Sequence, residues 1–149
     1  MKKIFTAISL LFFVAQQYSF SQTDPLVASG LAKQKKSNHT DAITDFTSAI
    51  KTHDADVQKY LKKLDDYEKV SEFDRVEKGM EAPKIDSSFA IPYYLRGVSL
   101  SATGKDNDAL NDFNTAVKIY HKLGAAYYER GKIKYTSGKK DEGCIDLGT

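Results

Sequence analysis

Cysteine is nearly absent: the sequence holds one, Cys144. A single thiol leaves no disulfide to staple the fold from within. Also missing are a glycine-rich phosphate loop, a nucleophile elbow and a zinc-binding helix motif. The three histidines, His39, His53 and His121, have no cysteine, histidine or carboxylate at ligand spacing, so no metal is expected. Carboxylates do cluster, at Asp65-Asp66, Asp106 with Asp108, and Asp141-Glu142. They fall at turns and on polar faces, where capping and solvation account for them. Nothing assembles into a catalytic constellation, so the chain is expected to be no enzyme and to need no cofactor. An enzyme using Cys144 is the alternative, and no base is positioned to serve it.

Long apolar runs are scarce too. The one that exists, Ile4 to Ala15, follows Lys2 and Lys3 and precedes Ser19-Phe20-Ser21. Basic start, short apolar stretch and small-x-small site together predict a secretory signal peptide over 1–21, cleaved before Gln22. The run is too short to span a bilayer, so the mature chain is expected to be exported, periplasmic or secreted, and not membrane-spanning. No cysteine follows the run, which gives no support to a lipid-attached form. Removing 1–21 leaves 22–149, the size of one domain. It also takes away Lys2 and Lys3, which lowers the basic count from 22 to match the acidic count of 20. Lys33, Lys35 and Lys36 read as a solvated helix end. No basic patch points to nucleic acid.

What the chain does contain is a period. Gly97, Ala109, Phe113 and Ala116 lie at offsets of 12, 4 and 3, and so do Gly30, Ala42, Phe46 and Ala49. Gly131, Gly143 and Leu147 repeat the first two offsets, and Gly131 follows Gly97 at an offset of 34. From Gly30 to Gly97 the offset is 67, one short of two such periods. Small and aromatic residues at set places in a period of this length signal stacked helix–turn–helix units. In the central unit, helix A is predicted over Ala90–Thr103 and ends at Gly104; helix B is predicted over Asp108–Tyr120, capped by Asp106 or Asn107. In the first unit Asp24-Pro25 starts helix A, Ser37-Asn38 makes the turn, and helix B covers Thr40–Lys51. In the last, helix A covers Ala125–Ser137, and helix B starts near Lys140 and is about two turns long at Thr149. That leaves an open stacking face on which self-association is a further expectation.

The stretch YYLRG…GKDNDALNDFNTAV resembles a tetratricopeptide (TPR) repeat, and YYERG…SGKKDEGCIDL is similar to the start of the next one. The resemblance is good over 90–147, fair over 24–53 and poor between. It implies an all-α solenoid, a right-handed superhelix of antiparallel helix pairs whose helix A residues line a concave groove that binds peptides or proteins. The mature domain, 22–149, then divides into a first repeat (24–53), a degenerate repeat (54–89), a well-matched repeat (90–123) and an incomplete last repeat (124–149).

The 54–89 segment is open to two readings, one longer helix or a degenerate repeat, and the second is favoured, with two helices over Asp56–Lys69 and Ser71–Met80. Ser71 with Asp74 suggests a capping box, Pro83 stops the second helix, and a loop covers 79–88. Cys144 is expected as a partly buried structural thiol, because helix B carries apolar or small residues there.

Two sets of residues carry the functional expectations. Arg96 and Arg130 precede the helix A glycines. Asp112 and Asp146 stand at i+16 from them, which predicts intra-repeat ion pairs. Ser29 and Asp45 hold the same places in the first unit. On the resemblance, the concave face takes Val27, Leu31 and Gln34 from the first unit, Tyr94, Val98 and Ser101 from the central one, and Tyr128, Lys132 and Tyr135 from the last. It is aromatic and mildly basic, suited to contact with a protein or peptide. It lacks the asparagine and paired basic residues with which some family members clamp a terminal carboxylate. The sequence thus reads as a non-catalytic scaffold or adaptor of the cell envelope.

Overall fold

The computed structural model describes residues 24–148, so the signal-peptide expectation lies outside the described residues. The described chain is all-α: α1 (Pro25–Lys35), α2 (His39–Glu68), α3 (Glu72–Glu77), a 3-10 turn (Ser87–Phe89), α4 (Ala90–Ala102), α5 (Asp106–Ile119), α6 (Gly124–Thr136) and α7 (Lys140–Leu147). None of these helices is long and apolar enough to cross a membrane.

Three short turns fold the helices into antiparallel pairs, α1 with α2, α4 with α5, and α6 with α7. Each turn contains one residue with positive φ: Ser37 at 59°, Gly104 at 76° and Gly138 at 92°. The pairs then meet through α2 against α4 and α5 against α6. One apolar cluster runs through these contacts, with Phe46, Phe113, Ala42, Ala49, Ala109 and Ala116 all fully buried.

The constant spacing between glycine and aromatic corresponds to one contact. Phe46 lies against Gly30 and Phe113 against Gly97, so close that a Cβ on either glycine would sit within 2.7 Å of the ring. In the last pair Leu147 and Asp146 face Gly131, while Gly143 brings its own backbone against that of Gly131 and Tyr135. The missing side chains let the paired helices approach closely.

Helix starts follow local chemistry at some ends and not at others. Asp24 caps α1 by accepting from the Leu26 and Val27 amides, with Pro25 in the first turn. Asn38 caps α2 by accepting from the Asp41 amide. The caps expected at Asp106 or Asn107 do not form: α5 begins at Asp106 itself, behind Lys105, with no side-chain cap.

The break expected between Lys51 and Asp56 is absent. α2 runs unbroken for 30 residues, about 45 Å at 1.5 Å per residue. No glycine or proline interrupts it, and its buried face continues from Ile50 to Val57, with Tyr60 and Leu61 packed against the core beyond. The Tyr60 hydroxyl donates to the Lys118 carbonyl at 3.1 Å, fastening this extension to the end of α5. Because α2 packs directly on α4, no stacked pair stands between the first and central units, and the expected intervening repeat over 54–89 is replaced by an excursion. The helix expected over Ser71–Met80 shortens to α3. Ser71 does cap it, accepting from the Asp74 amide at 3.1 Å and donating to the Asp74 carboxylate at 2.6 Å. Residues 80–86 then have no regular structure. The chain is tied back where Phe89 stacks on His53, ring centroids 4.3 Å apart.

Candidate interaction surface

The charged pairs come together as spaced. The Arg96 guanidinium donates two parallel hydrogen bonds to Asp112, at 2.8 and 2.7 Å, and Arg130 does the same to Asp146. A tyrosine ring faces each guanidinium, Tyr93 with its centroid 5.8 Å from Arg96 Cζ and Tyr127 with its centroid 4.9 Å from Arg130 Cζ. In the first unit Ser29 donates to Asp45 at 2.7 Å, and Lys33 pairs with the same carboxylate at 2.7 Å.

Each arginine also reaches back to the preceding pair. Arg96 donates to the Thr47 hydroxyl at 3.2 Å, and Arg130 to the Asn114 side-chain carbonyl at 3.0 Å. Thr47 and Asn114 directly follow the buried phenylalanines Phe46 and Phe113. Sequence reasoning missed both, although a polar residue right after the recurring ring was the available signal. One guanidinium therefore holds its own pair closed and joins it to the pair before.

The carboxylates differ in electrostatics. Burial raises Asp112 above the usual carboxylate range despite the Arg96 guanidinium beside it, and nearby Asp108 adds to the rise. Burial pushes Asp146 upward as well, but Arg130 and Lys134 together outweigh it and hold its carboxyl below that range. Two things separate them: Asp112 is the more deeply desolvated, and Asp146 has a second cation, Lys134, at 2.9 Å, where Leu100 occupies the corresponding place in the central pair. A groove of about 310 Å³ beside Asp112 is lined by Ile43, Thr47, Leu100 and Asn111, among others. Arg96 and Asp112 in its wall are already spent on each other.

The residues expected on the concave face divide into two groups. Val27 is buried, and Leu31, Tyr94 and Val98 are partly buried against the core. The Tyr94 ring lies 6.1 Å from Phe113. Gln34 donates to Ser99 Oγ at 3.0 Å and to the Leu95 carbonyl at 3.3 Å, tying α1 to α4. Ser101 donates to Asp106 across the turn. The α6 group is open instead. Tyr128 is 55% and Tyr135 45% exposed. Lys132 lies between them on the same stripe, 5.3 Å from the Tyr128 ring centroid and paired with Glu129 at 2.7 Å, while Lys140 lies 5.9 Å from the Tyr135 centroid.

Cys144 is exposed, contrary to the partly buried position expected for it. α7 buries Gly143 and Asp146 against α6, which turns Cys144 and Ile145 outward. Among the described residues no group of three histidine, cysteine or acidic side chains is placed to share a metal ion. A second exposed apolar patch, on α3 and just past it, was not anticipated: Phe73 and Val76 are each 77% exposed, and Met80, beyond the helix, 39%. Its signal was the i, i+3 spacing of Phe73 and Val76 in a segment that has no core of its own.

No known protein family matches the chain, and no curated protein is significantly similar to it.

Proposed function

We propose that this chain is an exported, non-catalytic adaptor of the tetratricopeptide type, which binds a protein or peptide partner through the helix A face of its helix pairs. The observation that carries the reading is the open Tyr128–Lys132–Tyr135 stripe on α6, two large rings interleaved with a cation at helical spacing. Tyrosines at such a surface give wide amphipathic contact at low entropic cost, and are enriched where binding energy concentrates. The repeated glycine–aromatic contact and the repeated arginine joint support a modular array. Partly buried Leu31, Tyr94 and Val98 form the floor of the face, and the α6 rings form its accessible part.

The test is a crosslinked pull-down from an envelope extract of the source cells, using Gln22–Thr149 as bait. A second bait carries Tyr128→Ala, Lys132→Glu and Tyr135→Ala. A partner retained by the first bait and lost from the second is the expected result. A partner held equally by both removes the α6 face from the reading. Intact-mass measurement of the exported protein is expected to show a chain starting at Gln22, and a chain starting at Met1 overturns the export step.

A further inference from the structure

The α3 stripe has a composition that α6 complements. On a helical projection Phe73 and Val76 lie together, with Glu72 at one edge and Glu77 at the other, and Met80 follows just past the helix. Both glutamates are exposed, and neither forms an ion pair with another described residue. Arg75, on the opposite side, is held over the Tyr67 ring at 4.5 Å, which fixes the orientation of α3 at the end of α2. α3 buries no residue of its own. So short a helix, with its apolar side facing water, gains nothing from that side within the fold. The α6 surface is the reverse: two exposed rings attended by the ammonium groups of Lys132, which also pairs with Glu129 at 2.7 Å, and Lys140.

We propose that α3 of one copy docks on the Tyr128–Lys132–Tyr135 face of a second copy of this chain. This rests on the reading of the α6 face as the binding surface, and names its occupant. Phe73 and Val76 cover the tyrosine rings, while Glu72 and Glu77 meet Lys132 and Lys140. Opposite charges bordering two apolar stripes fix orientation and disfavour α3–α3 or α6–α6 contacts, where like charges would face each other. The two surfaces differ, and every copy carries both. The contact is therefore heterologous and builds head-to-tail rings or chains rather than a closed two-fold dimer. A patch this small belongs with weak, transient interfaces, so association is expected at protein concentrations on the order of 100 μM.

Sedimentation equilibrium on Gln22–Thr149 with a charge-swap pair tests the proposal. One chain carries Glu72→Lys and Glu77→Lys; the other carries Lys132→Glu and Lys140→Glu. The wild-type weight-average mass is expected to rise at least about twofold over the monomer as concentration increases through that range, and less so in high salt. Each swapped chain alone is expected to stay monomeric, with unchanged helical circular dichroism. An equimolar mixture is expected to associate again, because both contacts regain opposite charges. A wild-type chain that stays monomeric throughout, swapped chains that associate alone, or a mixture that fails to recover each overturns the proposal. If the wild type is monomeric while the α6-substituted bait still loses a foreign partner, the occupant is wrong and the binding face stands. If that bait loses nothing, the face falls with it.

Discussion

The Phe113 ring fills the space that a side chain on Gly97 would need, with Cε1 2.7 Å from where the Cβ would lie. Replacing Gly97 by alanine sets two effects against each other. Helix propensity favours alanine by about 1 kcal/mol, whereas forcing a methyl into a filled core costs about 1–3 kcal/mol. Phe113 is fully buried and has no free side to move into. Gly97→Ala is thus expected to lower unfolding stability in urea. Gly124→Ala, where a Cβ meets nothing within 4 Å, is expected to leave it equal or higher.

The arginine joint predicts a coupling that two independent surface charges would lack. A double-mutant cycle with Arg96→Met and Asp112→Asn is expected to give a coupling of about 1–3 kcal/mol, as for groups in one hydrogen-bonded network. A value near zero would return the pair to the status of an exposed ion pair.

The two carboxylates are expected to titrate on opposite sides of their ordinary value of 3.8. Asp112 is raised in the fold, so on going up in pH the unfolded chain ionises first. Its contribution to stability falls as pH rises from 3.8 to its folded value. Asp146 is lowered, so its contribution is present above 3.8 and is lost as pH drops through its folded value. Carboxyl-carbon NMR titration reads both directly. Asp112 titrating below Asp146 would contradict the roles given to burial and to Lys134.

An unbroken α2 makes Ala55 an interior helical position. Its side chain is exposed, so Ala55→Pro removes no packing and acts on the backbone alone. The expected cost is about 3 kcal/mol or more, from the lost hydrogen bond and the clash with the preceding turn. Were 55 a loop or a helix start, the substitution would be nearly neutral. Urea unfolding distinguishes the two.

Ser37 stands at the turn where the other pairs have Gly104 and Gly138, and it adopts φ of 59°. A Cβ in that region costs roughly 1–2 kcal/mol, partly offset by the greater chain entropy glycine loses on folding. Ser37→Gly is expected to raise the melting temperature, a rare case of a glycine that stabilises.

The pairing of helices was legible because it depends on spacing alone. Gly30 with Phe46, Gly97 with Phe113, Arg96 with Asp112 and Arg130 with Asp146 share one offset, i to i+16, across one turn. The extension of α2 was not legible while the period of the well-matched units was imposed on it. Read locally, the segment from Lys51 to Asp56 contains no glycine or proline to stop a helix, and local chemistry prevailed. The exposure of Cys144 depends on what α7 packs against, which its own short sequence does not encode. The floor of the expected groove followed the same logic. Gln34 looked like a surface residue until Ser99, 65 positions away, proved to be its partner.

The arginine joint also bears on how such a chain lengthens. A segment copied at its own period carries the guanidinium, the carboxylate that orients it, and the polar acceptor for the next copy's guanidinium. Duplication therefore delivers both halves of the fastening at once, and no new seam has to be invented. Ser29 is the exception that fits: among the described residues no pair lies behind α1, and there the Ser29 hydroxyl and the Lys33 ammonium together hold Asp45.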